Sequence, residues 1–136
     1  MPLVRREATS DSVAEFVGGL AGTPLFTSHW TRLELCSAIA RDVRMKVLRP
    51  AEGRMAIGDF QNGILPSFSL YAVKLNDCEV ATDYLQNFST GLRAGDALHL
   101  AIAKNNNARA IYSLDDKMIR AGQLLGLPVS RGIRRK

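Results

Sequence analysis

Short strand-like segments alternate with helical segments along most of this chain, and that order constrains the fold more than any other feature. Strands are predicted at PLFTS (24–28), SFSLYAV (67–73), ARAIYSL (108–114) and LPVS (127–130). Because a helical stretch separates each strand from the next, neighbouring strands are expected to pair in parallel through right-handed crossovers. The sequence therefore predicts an α/β fold in which helices cover both faces of a parallel sheet.

Helices are predicted where apolar residues recur with a helical period. In SDSVAEFVGGL (10–20), apolar side chains fall at i, i+3, i+4 and i+7, the signature of an amphipathic helix. Further helices are predicted at 29–48, 51–64, 76–88 and 115–126, and around GDALHLAIAK (95–104).

Length and composition are those of one globular domain. With 46% hydrophobic and 23% charged residues over 136 positions, the chain can bury a core as a single domain, 1–136. Its apolar runs are shorter than the roughly 20 residues that a bilayer requires, and no signal-peptide pattern opens it. We therefore expect a cytoplasmic protein without a membrane partner, with Cys36 and Cys78 as reduced core residues.

Positive charge predominates, most of all at the end of the chain. The net charge is +5, and the final segment RGIRRK (131–136) contributes Arg131, Arg134, Arg135 and Lys136. Such a basic tail attracts polyanions such as RNA or DNA. A tail that only increases solubility explains the same residues, so both interpretations stay open.

Acidic residues are predicted to converge at one edge of the sheet. Asp115 directly follows a predicted strand, with Asp116 beside it. Glu34 lies in the first turns of the helix after LFTS, and Asp96 begins another helix. Because open parallel sheets bind ligands beyond the carboxyl ends of their strands, Glu34, Asp96 and Asp115 are expected to meet there.

Three neighbouring carboxylates repel one another unless they share a proton or bind a cation. Ligand sets made only of oxygen favour Mg²⁺ or Mn²⁺. An ion held in this way activates water and stabilises the charge that develops during phosphodiester cleavage. No P-loop, HExxH or GxSxG motif offers a competing chemistry, so the acids predict a metal-dependent phosphodiesterase.

Structural roles explain the same residues one at a time. Asp96, Asp115 and Asp116 each stand near a helix N-terminus, where a carboxylate caps the helix or interacts with its dipole. Glu34 can be an ordinary paired glutamate. His99, one turn after Asp96, is either a base or ligand or a histidine bonded to Asp96 or to backbone.

Two stretches carry a family resemblance. LRAGDALHLAIAKNNNARAIYSLDDKMIRAGQLLGLPV (92–129) contains a Gly-Asp-Ala helix start, a Ser-x-Asp strand end and a closing Leu-Gly-Leu-Pro. LFTSHWTRLELCSAIAR (25–41) is similar to the segment that carries the family's glutamate. With these motifs in this order, the chain resembles PIN-domain proteins, specifically the VapC-type toxins of bacterial type II toxin–antitoxin systems.

The resemblance implies a site and partners. It implies that Glu34, Asp96 and Asp115 are metal-site acids, with Asp116 a secondary ligand and Ser113 a supporting hydroxyl. It also implies cleavage of RNA, often tRNA or ribosomal RNA, by water with Mg²⁺ or Mn²⁺. A homodimer and inhibition by a cognate antitoxin are further implications.

The beginning of the chain departs from the family pattern. PIN domains usually open with a strand that ends in an aspartate, whereas MPLVRREATSDS resembles the stretch that follows that strand. We therefore expect an N-terminally shortened domain that lacks a central strand between 25–28 and 110–114, and one acid. An upstream start explains this pattern. So does a degenerate toxin that binds its antitoxin or a nucleic acid without cleavage. A DNA-directed phosphodiesterase that uses the same chemistry is a third possible function of the chain.

Overall fold

The computed structural model of the protein describes residues 25–131, and over this range strands and helices alternate as the sequence predicts. The four strands are β1 (Phe26–Ser28), β2 (Ser69–Tyr71), β3 (Ile111–Tyr112) and β4 (Val129–Ser130). The α/β fold class is confirmed. The helix predicted at 10–20 and the basic residues Arg134, Arg135 and Lys136 lie outside the described residues.

Helices make up most of the described chain. The α-helices are α1 (His29–Arg44), α2 (Pro50–Asp59), α3 (Leu75–Gln86), α4 (Ala94–Asn105) and α5 (Asp116–Leu124). A π-helical turn, Phe60–Ile64, continues α2, and 3-10 turns follow at Leu65–Ser67 and Phe88–Thr90. No helix among residues 25–131 is both long and apolar enough to cross a lipid bilayer.

The strands pair in parallel, as predicted. β1 pairs with β2, from Phe26 opposite Ser69 to Ser28 opposite Tyr71. β3 pairs with β4, with Ile111 opposite Val129 and Tyr112 opposite Ser130. Within residues 25–131 these are two separate two-stranded ladders. The described residues divide into two compact units, one that ends at Tyr71 and one that begins at Ala72. Each unit contains one ladder, and the two are described separately.

In the first unit, α1 packs against α2 around a small core. Leu35, Ile39 and Phe60 are its buried residues. Gly53 lies where the two helices are in close contact, because a Cβ at this position would be 2.8 Å from Cγ2 of Val43. A side chain at position 53 would therefore push α2 away from α1.

α1 ends four residues before its predicted end. The helical pattern continues to Leu48, but the chain leaves the helix after Arg44 and Lys46 adopts a φ of 59°. The Asp42 carbonyl accepts hydrogen bonds from the backbone N–H groups of Val47 and Leu48, at 2.9 and 3.2 Å. These bonds close the turn that leads to α2, which has Pro50 as its first residue, the position where proline fits a helix best.

In the second unit, α4 packs between two apolar clusters. Toward α3, the buried residues are Ala81, Ala97 and Ala101, whose small side chains allow the two helices to approach closely. The other cluster contains Leu100, Met118 and Val129, and it joins α4 to α5 and β4. This packing fixes where α4 and α5, and thus their acidic first turns, lie relative to each other.

Both cysteines are free thiols, as expected. Cys36 is half-buried, whereas Cys78 is exposed on α3. The expectation that Cys78 is a core residue is wrong, because the buried face of α3 is formed by Asp77 and Ala81 instead.

Candidate functional site

Glu34 belongs to the first unit, where it lies in the second turn of α1. The helix begins after Ser28, which is buried and accepts a hydrogen bond from the backbone N–H of Thr31 at 3.2 Å. Glu34 itself is half-buried. Trp30 lies four residues earlier and is also half-buried, so the two share one face of α1. Helix initiation at Ser28 therefore fixes the position of Glu34 close to the end of β1.

Asp96 belongs to the second unit and is the third residue of α4. It is half-buried and is the acidic residue in the first turn of that helix. The positive end of the helix dipole favours a carboxylate at this position. His99 lies one turn later and is also half-buried. The location at the beginning of a helix, predicted from the sequence, is thus confirmed for Asp96.

Asp115 is the N-cap of α5. Its Oδ1 atom accepts hydrogen bonds from the backbone N–H groups of Lys117 and Met118, at 2.9 and 3.3 Å. The capping role considered for Asp115 is therefore confirmed. Both bonds reach Oδ1, so neither occupies Oδ2. Because Asp115 is exposed, a capped Asp115 can still offer an oxygen to a ligand.

Ser113 supports the turn that carries Asp115. Its Oγ accepts a hydrogen bond from the backbone N–H of Asp115 at 3.0 Å. Its own backbone N–H donates to the carbonyl of Ser130 at 3.1 Å, just beyond the β3–β4 ladder. Ser113 therefore links the end of the ladder to the beginning of α5.

Asp116 and Arg131 form an ion pair that the sequence motifs do not predict. Nη2 of Arg131 lies 2.6 Å from Oδ1 of Asp116 and also donates to the carbonyl of Leu114 at 3.2 Å. A weaker sequence signal for the pair exists: Asp116 and Arg131 follow strands predicted to be neighbours, and parallel strands end at the same edge. Arg131, which is expected to bind a nucleic acid, and Asp116, which is expected to be a secondary metal ligand, thus contact each other.

The packing of the second unit brings Asp96 and Asp115 to helices that meet. Leu100 lies one turn after Asp96 and Met118 three residues after Asp115, and both belong to one buried cluster. Glu34 lies in the other unit. In the described part of the chain, no three His, Cys, Asp or Glu side chains come together as a group that could hold a metal ion. The type of donor nonetheless fits, since carboxylate oxygens are the ligands that Mg²⁺ and Mn²⁺ take.

Comparison of the sequence with models of known protein families identifies the family of this chain. A family model described as "PIN domain" matches residues 1–124 of the chain. The chain belongs to the PIN domain family. Neither the curated proteins nor the solved structures gave a significant match.

Membership of the PIN domain family indicates a nuclease-type fold, because PIN domains are usually nucleases that use divalent metal ions. The matched range includes Glu34, Asp96, Asp115 and Asp116, whereas Arg131 and the rest of the basic tail lie beyond it. The acids of this PIN domain chain therefore lie in the part that the family shares.

Proposed function

We propose that this chain is a metal-dependent endoribonuclease of the VapC type, which cleaves RNA phosphodiester bonds by attack of water. The observation that carries the proposal is the match to the PIN domain family, because it spans every acid proposed for catalysis. In this proposal Glu34, Asp96 and Asp115 hold Mg²⁺ or Mn²⁺.

Each residue has a distinct part in the proposed site. Asp115 would offer an oxygen to the ion, while the bonds to Oδ1 keep the carboxylate oriented as the cap of α5. Asp96 contributes from the first turn of α4. Asp116 is at most a secondary ligand, because its Oδ1 already pairs with Arg131. An ion held by these residues would supply an activated water and neutralise charge on the phosphate.

Net charge and the family resemblance support a proposal for the substrate and partners. A net charge of +5 favours a polyanionic substrate, and we propose RNA, with tRNA and ribosomal RNA as candidates. We also propose a homodimer, a cognate antitoxin as the inhibitor, and the cytoplasm as the site of action.

The experiment measures RNA cleavage by the purified full chain with and without divalent metal. Mn²⁺ or Mg²⁺ should support cleavage of a tRNA mixture and EDTA should stop it. Asp96→Asn and Glu34→Gln should each lower kcat by roughly 100-fold, a loss typical of removing one preorganised charge-stabilising group. Asp83→Asn, at an exposed position of α3, is the matched control and should retain full activity and the same melting temperature. Equal cleavage in EDTA, or by a variant that lacks all three acids, would contradict the proposal.

A second candidate function is a toxin homologue that binds its antitoxin or a nucleic acid without cutting it. The observation that favours it is that two of the acids already have structural roles, Asp115 as the cap of α5 and Asp116 as the partner of Arg131. Gel-shift binding of RNA with no cleavage in Mn²⁺ would select this candidate. Single-stranded DNA assayed in parallel distinguishes a DNA-directed enzyme from a ribonuclease.

A further inference from the structure

Arg131 connects the end of one strand to the turn that follows its neighbour. β4 ends at Ser130, whose carbonyl accepts a hydrogen bond from the backbone N–H of Ser113, the residue after β3. Arg131 therefore leaves the ladder level with the turn that leads into α5. From there its Nη2 atom reaches the Leu114 carbonyl at 3.2 Å and Oδ1 of Asp116 at 2.6 Å.

The two acceptors of Arg131 are the residues on either side of Asp115. One guanidinium thus holds the chain immediately before and immediately after this proposed catalytic acid. Asp115 itself is held by two further contacts: its backbone N–H donates to Ser113 Oγ, and its Oδ1 caps α5. The turn from Ser113 to Asp116 is consequently held by its own hydrogen bonds and also by the contacts of Arg131.

Burial and charge both set Arg131 apart from a phosphate-binding residue. Its side chain is only 21% exposed, against 58% for that of Asp116. An arginine paired with a carboxylate has lost part of its attraction for phosphate, and the donor that makes this pair is already engaged. The lysine side chain is one bond shorter and ends in a compact ammonium, so it does not place a donor where Nη2 of Arg131 lies.

We propose that Arg131 is a positioning residue that fixes the orientation of Asp115, rather than a part of the RNA-binding surface. The proposal rests on the proposed nuclease function as far as activity is concerned. In this proposal the carboxylate of Asp116 holds the Arg131 guanidinium in place. The residue that the sequence assigns to the basic tail belongs instead to the support of the site.

The first test measures amide hydrogen exchange of the full chain, without metal or RNA. Arg131→Ala and Asp116→Asn should each speed exchange at the backbone amides of Lys117 and Met118 by about tenfold, the effect expected when one or two hydrogen bonds of modest strength are lost. The control is Arg120→Ala, an exposed arginine on α5, which should leave both amides unchanged. Unchanged exchange in both Arg131→Ala and Asp116→Asn overturns the proposal, whatever the activity of the enzyme.

The second test separates positioning from phosphate binding. Arg131→Ala should lower kcat for RNA by roughly tenfold or more, as removal of a supporting partner typically does, while KM stays within about twofold of wild type. Arg131→Lys should not rescue kcat, because it restores the charge but its shorter side chain does not place a donor where Nη2 lies between the Leu114 carbonyl and Asp116. The opposite result, a raised KM that lysine rescues together with a salt-dependence slope of RNA binding smaller by about 1, overturns the proposal in favour of a phosphate contact.

The two tests distinguish failure of the positioning role from failure of the proposed nuclease function. If the wild-type chain does not cleave RNA, the nuclease proposal fails, while amide exchange still decides whether Arg131 holds the Asp115 turn and the salt slope still decides whether it contacts phosphate. If the wild-type chain cleaves RNA and Arg131→Ala changes neither exchange nor kcat, only the positioning role is lost.

Discussion

Asn105, the last residue of α4, donates a hydrogen bond from its side-chain amide to Oδ1 of Asp77 in the first turn of α3, at 2.8 Å. The other oxygen of Asp77 accepts from the backbone N–H of Lys74 at the same distance. Asp77 is only 2% exposed, so its two carboxylate oxygens depend on these donors for their hydrogen bonds. One buried carboxylate thus begins α3 and ties it to the end of α4.

Removal of the Asn105 amide should destabilise the fold. Asn105→Ala leaves Oδ1 of Asp77 buried without this donor, at a cost of about 1–3 kcal/mol. Urea unfolding at pH 7 measures this loss. Asn76→Ala, at an exposed position in the first turn of α3, is the matched control and should change the free energy of unfolding by less than about 0.5 kcal/mol. Equal stability of the two variants would mean that the Asn105–Asp77 contact has no energetic weight.

Asp115 has two roles that one pair of variants can separate. Asparagine caps helices about as well as aspartate, whereas replacement of a cap by alanine costs about 0.5–2 kcal/mol. Asp115→Asn should therefore keep the stability of the protein and lose RNA cleavage, while Asp115→Ala should lose both. Thermal melting and the metal-dependent cleavage assay measure the two roles. Full cleavage by a stable Asp115→Asn protein would restrict this residue to its role as a cap.

The sequence predicted the order of the elements because strand and helix periods depend on near neighbours along the chain. All four strands in the described range fall inside their predicted segments. Their lengths were overestimated: ARAIYSL spans seven residues, but only Ile111 and Tyr112 pair. The extent of a ladder depends on the partner strand, and β4 offers only Val129 and Ser130. The sequence of ARAIYSL alone therefore does not reveal how many of its residues pair.

The candidate site was predictable only in its local parts. The helix-start position of Asp96 and the cap at Asp115 follow from residues within one turn of each acid, and both were found. The Asp116–Arg131 pair joins residues 15 positions apart, and it depends on the register of β3 against β4. From the run of basic residues alone, Arg131 is therefore expected in a surface tail. In the folded chain it is instead paired with the carboxylate of Asp116.

Gly122 should tolerate no side chain, since a Cβ there would collide with the side chain of Val129. Gly122→Ala is expected to cost about 1–3 kcal/mol, as overpacking of a filled core usually does. The matched control is Gly63→Ala, because a Cβ at Gly63 would meet no atom within 4 Å and the backbone there is not left-handed. That control should be neutral or slightly stabilising. Unfolding in urea compares the two variants, and a stable Gly122→Ala protein would show that α5 and β4 separate easily.

Tyr84 should make the stability of the protein fall at alkaline pH. Burial raises the pKa of Tyr84 above its ordinary value of 10.0, because the ionised phenol is poorly solvated there. Below the unfolded-state pKa both states keep the proton and stability is unaffected. As the pH rises from about 10 toward the raised pKa, the unfolded chain ionises first, so the free energy of unfolding decreases. Urea unfolding between pH 8 and pH 11 (roughly the window set by these pKa values) measures the decrease.

Tyr84→Phe should remove this part of the alkaline decrease. Within residues 25–131 the Tyr84 hydroxyl is buried and has no hydrogen-bond partner, so at pH 7 its loss should leave stability unchanged or raise it by about 1 kcal/mol. The control is Tyr112→Phe, at an exposed position, which retains Tyr84 and should retain the decrease. A Tyr84→Phe protein that is clearly less stable at pH 7 would mean that the hydroxyl forms a bond in solution, and the burial argument would then fail.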